Sequence, residues 1–226
     1  MDLTESYKTA LPEAVRERYE VRETRNAAAI LASIHPGEFS EIVSVLSDFS
    51  LSRTDLINPG GSESQLAARL NKAFRDLGWR EGRHDTHVTS ILRVMPHRPA
   101  GETQPTEIKT DVISEGYKVD NVKNRVALDV EWNAKDGNLD RDIGAYRSLY
   151  DAGIIDAAVL ITRTQDDLRA LAVRLATDAG VPGAAKRLGT TTTTNLAKLL
   201  PRMTRGDGGG CPILAIAITA QCLEGR

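Results

Sequence analysis

The 226-residue sequence predicts an α/β protein with a mixed central sheet flanked by helices. One observation is a strand, a helix and a strand in series. "RVALDVEW" around 125–133 reads as a strand, and "DRDIGAYRSLYDAGI" (140–154) repeats Ile143, Tyr146, Leu149 and Tyr150 at helical spacing. "DAAVLITR" (156–163) is an apolar run suited to a buried central strand, so the series has the pattern of a crossover in a partly parallel sheet. A second observation is the late apolar run "ILAIAITA" (213–220), which reads as a final strand. With 41% hydrophobic residues the chain is long enough to bury a real core, most simply as one domain over 1–226.

The remaining elements follow in chain order. Residues 11–34 are helical in composition, and "EFSEIVSVLSD" (38–48) reads as a second helix, so 1–56 form a helical N-terminal part. "INPGGSES" is turn followed by cap, opening "QLAARLNKAFRDLG", in which Leu66, Leu70, Phe74 and Leu77 recur every three or four residues until Gly78 ends the helix. "HVTSILRVM" (87–95) reads as a strand, and "PHRPAGETQPTE" after it as a loop. A further strand is expected around 115–121 and a helix over "DDLRALAVRLATDAG" (166–180). No internal repeat is present.

Composition narrows the functional classes. A formal charge of -2 gives no global attraction to nucleic acid, so any DNA site needs locally clustered cations. Aromatics at 4% argue against a base-stacking single-strand binder. Cys211 and Cys222 are too few to staple a secreted domain and fit a reduced cytoplasm. The N-terminal stretch carries charges throughout, unlike a signal peptide, and no run approaches the roughly 18 apolar residues of a membrane span. A soluble cytoplasmic protein with no membrane partner is expected.

Chemistry concentrates in "DNVKNRVALDVEWNAKD" (120–136). In an extended strand alternate residues share a face, which would align Asp129, Glu131, Asn133 and Lys135 opposite Leu128, Val130 and Trp132. Asp120 can meet the first group across the turn "NVKN". Two carboxylates at a strand end, with an amide or amine two residues on, make a hard oxygen site for Mg²⁺. Solvated acids on the polar face of an ordinary strand are the plainer alternative.

This block, with "GGSESQLAARLNKAFRDLGW" before it and "TTTTTNLAKLLPRMTRGDGGGCPILAIAI" after it, resembles the BglII/BstYI group of type II restriction endonucleases, within the PD-(D/E)xK nuclease superfamily. The likeness covers roughly residues 57–220, which would then be the catalytic core. It implies a restriction-endonuclease-like core and a homodimer. It also implies Mg²⁺-dependent hydrolysis of double-stranded DNA at a short palindrome, with the 3′-oxygen leaving and a 5′-phosphate left behind. By that pattern Asp120 and Glu131 are the metal-binding acids, and Asn133 stands where most of the superfamily has lysine. Lys135 or Lys123 would then supply the cation, and Asp129 would orient the others. An acid on the preceding helix, here Glu63, can approach such a site, though a helix-start acid is equally explained by the macrodipole. Alternatives are a structure-specific or repair nuclease of the same fold, or a DNA-binding protein without catalytic activity.

The threonine run 190–194 and Asn195 are either a helix cap or hydroxyls and an amide that read DNA, with Thr192, Thr193, Thr194, Asn195 and Lys198 as the contacts. Lys198, Arg202 and Arg205 would supply the cationic patch, while Arg141 and Arg147 contact phosphate or pair with Asp140 and Asp142. "GDGGGCP" (206–212) lacks the Gly-Lys-Ser/Thr of a phosphate loop, so no nucleotide cofactor is expected.

Overall fold

A computed structural model describes residues 1–57, 65–189 and 192–225; Glu63, Thr190 and Thr191 lie outside them. The strands are β1 (Leu3–Thr4), β2 (Tyr19–Thr24), β3 (Arg80–Arg83), β4 (Thr86–Val94), β5 (Thr106–Ser114), β6 (Lys118–Lys123), β7 (Val126–Val130), β8 (Ala157–Arg163) and β9 (Ile213–Ile218). The helices are α1 (Tyr7–Ala10), α2 (Glu13–Arg18), α3 (Ala27–Ile34), α4 (Pro36–Asp48), α5 (Arg53–Ile57), α6 (Gln65–Asp76), α7 (Gly137–Asp151), α8 (Asp166–Asp178) and α9 (Leu196–Arg205).

Seven strands form one mixed sheet in the order β1-β2-β9-β8-β7-β6-β3. The central β7, β8 and β9 run parallel, with α7 joining β7 to β8 and α8 and α9 lying between β8 and β9. The flanking β2 and β6 are antiparallel to their neighbours. Strand parity sorts the two cores. Val159, Ile161, Leu214 and Ile216 face one layer with Leu31, Ile42, Phe74 and Leu171. Ala158, Leu160, Ile213 and Ala215 face the other, beneath Leu139, Ile143, Tyr146 and Leu199. The three parallel strands are buried on both faces, so their sequences read as continuous apolar runs.

Two expectations fail here. Residues 19–24 are a strand, not part of a helix, pairing with β9 from Tyr19↔Ile218 to Glu23↔Leu214. The expected loop 96–107 gives way at Thr106 to β5, which pairs along its whole length with β4.

That pair is a separate two-stranded ribbon in which every residue is exposed. One face carries Val88, Leu92, Val94, Ile108 and Val112 among Ser and Thr; the other carries the ion pair Arg93–Glu107 and the bond Thr89–Asp111. Its two ends meet. The backbone of Gly116 lies against the carbonyl of His84, where a Cβ would come within 1.9 Å of the oxygen, and Gly116 N–H donates to Asp85.

The glycine-rich turn 206–210 has a packing explanation. A Cβ at Gly210 would fall 2.8 Å from the Tyr150 ring, and one at Gly208 would fall 2.7 Å from Ile213 Cδ1. Gly209, at φ +59°, lies over the stem of Arg147. The turn lets the backbone lie directly on α7.

Candidate active site

The antiparallel step from β6 to β7, with Asn121 opposite Leu128, brings Asp120 beside Asp129. Asp120 N–H donates to Asp129 Oδ1 at 2.7 Å, and Val130 N–H donates to Asp120 Oδ2 at 3.4 Å. Asn71, buried on α6, also donates to Asp120 Oδ2 at 3.4 Å and accepts from Asn121 at 2.8 Å. Asp129 has the parity of Ala127, so it enters the layer under α7 and not open solvent.

Glu131 follows the last residue of β7. Its N–H continues the ladder to Ile161 O at 2.8 Å, and its carbonyl accepts from Thr162 and Thr194 hydroxyls at 3.0 and 3.2 Å. Three anchors fix its backbone, and its buried carboxylate turns toward α7. There Asn138 donates to Oε1 and Oε2 at 3.4 and 3.5 Å, and the Arg141 guanidinium stands 3.7 Å from Oε1.

Asp142 is the member that the sequence reading did not place in the site. It sits on the buried stripe of α7 with Leu139, Ile143, Tyr146 and Leu149 and is 1% exposed. Its Oδ1 accepts from Arg141 at 3.2 Å, while Oδ2 meets no donor. Asp129 Oδ2 is likewise buried without a donor, and the neighbouring Tyr146 hydroxyl donates to Val159 O. The signal in the sequence was a carboxylate on an otherwise apolar helical stripe.

The electrostatics follow from burial. Desolvation raises Asp120 from its ordinary value and raises Asp129 well above its own, with Asp142 and Asp120 adding like charge to Asp129. Glu131 is pushed up to about 7, first by desolvation, and Asp142 to about 8 by desolvation and the Glu131 charge.

Asn133 departs from the expected alignment. The strand ends at Val130, and Asn133 adopts φ +55°, which breaks the alternation. Its side-chain oxygen accepts from Arg163 Nε at 2.7 Å. Arg163 is fully buried, and desolvation lowers it to about 10. It also donates to Thr164 O, Gln165 and Thr193 Oγ1, tying together the loops after β7 and β8 and before α9. Lys135 is exposed and joins the fold through a backbone bridge to Thr193, and Lys123 pairs with Glu41 away from the acids.

The threonine run lies along this loop. Asp136 N–H donates to Thr192 O and Thr194 N–H to Ala134 O, closing a short antiparallel bridge. Thr194 and Asn195 are buried, and Asn195 caps α9 by accepting from Lys198 N–H at 3.1 Å. Thr192 is exposed. Lys198 reaches Asp136 and Thr193 O, Arg202 pairs with Asp140, and Arg205 with Asp207, so acids accompany each cation of the expected patch.

A divalent cation suits this chemistry, since two buried carboxylate oxygens have no donor and four acids gather around one contacting guanidinium. Among the described residues no three acids, histidines or cysteines are already arranged to hold an ion. A bound ion would therefore complete its shell with water and substrate oxygens, as Mg²⁺ commonly does. Cysteine is no nucleophile here, because both thiols are buried and Cys211 is pushed up to about 12. No helix among the described residues is long and apolar enough to cross a membrane.

No curated protein matches the chain. A family model, restriction endonuclease BglII/BglIII, matches residues 19–218, from the first residue of β2 to the last of β9. That span contains the whole acidic cluster and six of the seven strands of the central sheet, and the chain belongs to the BglII/BglIII family of restriction endonucleases.

Proposed function

We propose that the protein is a type II restriction endonuclease that hydrolyses double-stranded DNA at a short palindrome, with Mg²⁺, leaving 5′-phosphates. The observation that carries this reading is the set of buried carboxylates at the end of β7, with two oxygens lacking donors, in a member of a nuclease family. Asp120 and Glu131 hold the ion. Bound Mg²⁺ supplies charge neutralisation at the scissile phosphate and a lowered pKa for water.

The chain's own groups do the positioning. Thr162 and Thr194 hold the Glu131 backbone, so the carboxylate meets its ligand with little freedom left to lose. Arg163 occupies the Asn133 oxygen, so it is the amide N–H groups that would orient the attacking water or meet a phosphate oxygen. Arg141, half-exposed beside Glu131, neutralises phosphate charge. Thr192 is exposed and faces DNA, while Thr193, Thr194 and Asn195 set the loop.

A palindrome cut on both strands matches a two-fold dimer, so the protein acts as a homodimer. The test is digestion of a sequenced plasmid with Mg²⁺, mapping of both ends of each cut, and sizing in solution. Discrete fragments from one repeated palindrome, and a mass about twice 24.6 kDa, are expected. Intact plasmid at all metal concentrations, or preferential cutting of branched or single-stranded DNA, overturns the reading.

A further inference from the structure

Asp142 is costly where it stands. A helix-interior aspartate at 1% exposure, with Oδ2 meeting no donor, loses hydration that the Arg141 contact to Oδ1 returns only in part. The rest of the buried face of α7 is Leu139, Ile143, Ala145, Tyr146 and Leu149. An apolar residue would complete that face, so packing alone does not account for the carboxyl group.

The surroundings of Asp142 point instead to Glu131. Asn138, one turn earlier on α7, donates to both Glu131 oxygens, and Arg141 bridges Glu131 Oε1 and Asp142 Oδ1. Three residues of one helix thus converge on a carboxylate delivered by β7. Asp129 Oδ2, also without a donor, closes the group from the sheet side.

We propose that Asp142 is a positioning residue of the metal site, setting the Glu131 carboxylate at the end of β7 where a divalent cation would be held. This rests on the nuclease reading above. It assigns α7 a part in catalysis: the helix joining two strands of the sheet also carries part of the ion's outer surroundings. Outer residues that orient ligands typically contribute about 10- to 100-fold in metal affinity.

The test is Asp142→Asn in the full-length protein. Its side-chain oxygen still accepts from Arg141, so the contact within α7 is kept while one carboxylate oxygen is removed. Mn²⁺ binding to the metal-free protein is measured by calorimetry without DNA, alongside the melting temperature of the metal-free form. The expected result is Mn²⁺ affinity lowered about 10- to 100-fold, with a melting temperature equal to or above that of the unaltered protein. Asp140→Asn, on the same helix but paired with Arg202, should leave Mn²⁺ affinity unchanged.

Unchanged affinity in Asp142→Asn, or an equal loss in Asp140→Asn, overturns the proposal. So does a lowered melting temperature or failure to fold, because Asp142 would then serve the fold. If the unaltered protein itself takes up no Mn²⁺, the nuclease reading falls with it, whereas binding that Asp142→Asn leaves intact removes only this inference.

Discussion

Glu131 is the side chain whose replacement separates binding from cutting. Glu131→Gln keeps the shape and the backbone bonds to Ile161, Thr162 and Thr194 but removes a ligand charge. Cleavage should be lost while metal-free affinity for the cognate duplex stays near that of the unaltered protein, read by plasmid digestion beside a gel-shift titration. Near-normal cutting would show that Glu131 holds no ion. The same acids set a pH dependence. Glu131 and Asp142 have folded pKa values raised by burial, so the native state binds more protons than the unfolded chain from about 4.5 to about 8. Their stabilisation is complete below the ordinary carboxylate range and is lost as pH rises through that window. The lowered acids Asp55, Asp140 and Asp156 act at lower pH and do not oppose this trend. The melting temperature of the metal-free protein should therefore fall from pH 5 to pH 8.5, and a rise over that interval would show the cluster already ionised. Asp120 and Glu131 stood out in the sequence because acids amid a strand-like apolar run need a reason, and the fold brings both to the end of β7. Asp142 did not, because beside Arg141 it reads as an ordinary surface pair until the stripe of Leu139, Ile143 and Tyr146 turns it inward.

At the scale of elements, the loop before α9 can be assigned by one truncation. Asn195→Ala removes the side-chain cap on Lys198 N–H, which costs about 1 kcal/mol. In a chain of this size that lowers the melting temperature by about 2–4 °C. Discrimination between cognate and altered duplexes should hold, since the side chain is buried; a loss of discrimination at unchanged melting temperature would make Asn195 a reader of bases. The cap was one of two readings open in the sequence. What hid the rest of the run's work was its partner, because Thr194 bonds to Glu131 and Thr193 to Arg163 across more than a score of residues. Distance along the chain explains the other misses as well. α7, β8, α8 and β9 were legible to within a few residues, since each carries its periodicity internally. "YEVRET" has good helix formers in it and becomes β2 only by pairing with β9, far along the sequence. β5 begins inside a stretch whose proline and glycine suggest a loop, and only β4 opposite makes it a strand.

For the whole molecule, the ribbon β4–β5 is an insertion whose ends already touch, at His84 and Gly116. Replacing residues 86–114 with a two-residue turn should leave the seven-stranded sheet intact, with a melting temperature within a few degrees of the full chain. A collapse of the fold would show that the ribbon supports the body despite its exposure. The sheet order carries a different consequence, one of timing. β9 lies between β8 and β2, so the last strand among the described residues fills a central place and joins residues near position 20 to residues near 215. Loop closure over such a span is slow, and few local contacts compensate before it occurs. Until residues 213–218 leave the ribosome, β2 has no neighbour on that side and the apolar layers of Val159, Ile161, Leu160 and Ala158 stay half open. A growing chain on the ribosome would then hold the acids of β7 and α7 over an unfinished floor. The floor beneath those acids is complete only once β9 has joined the sheet.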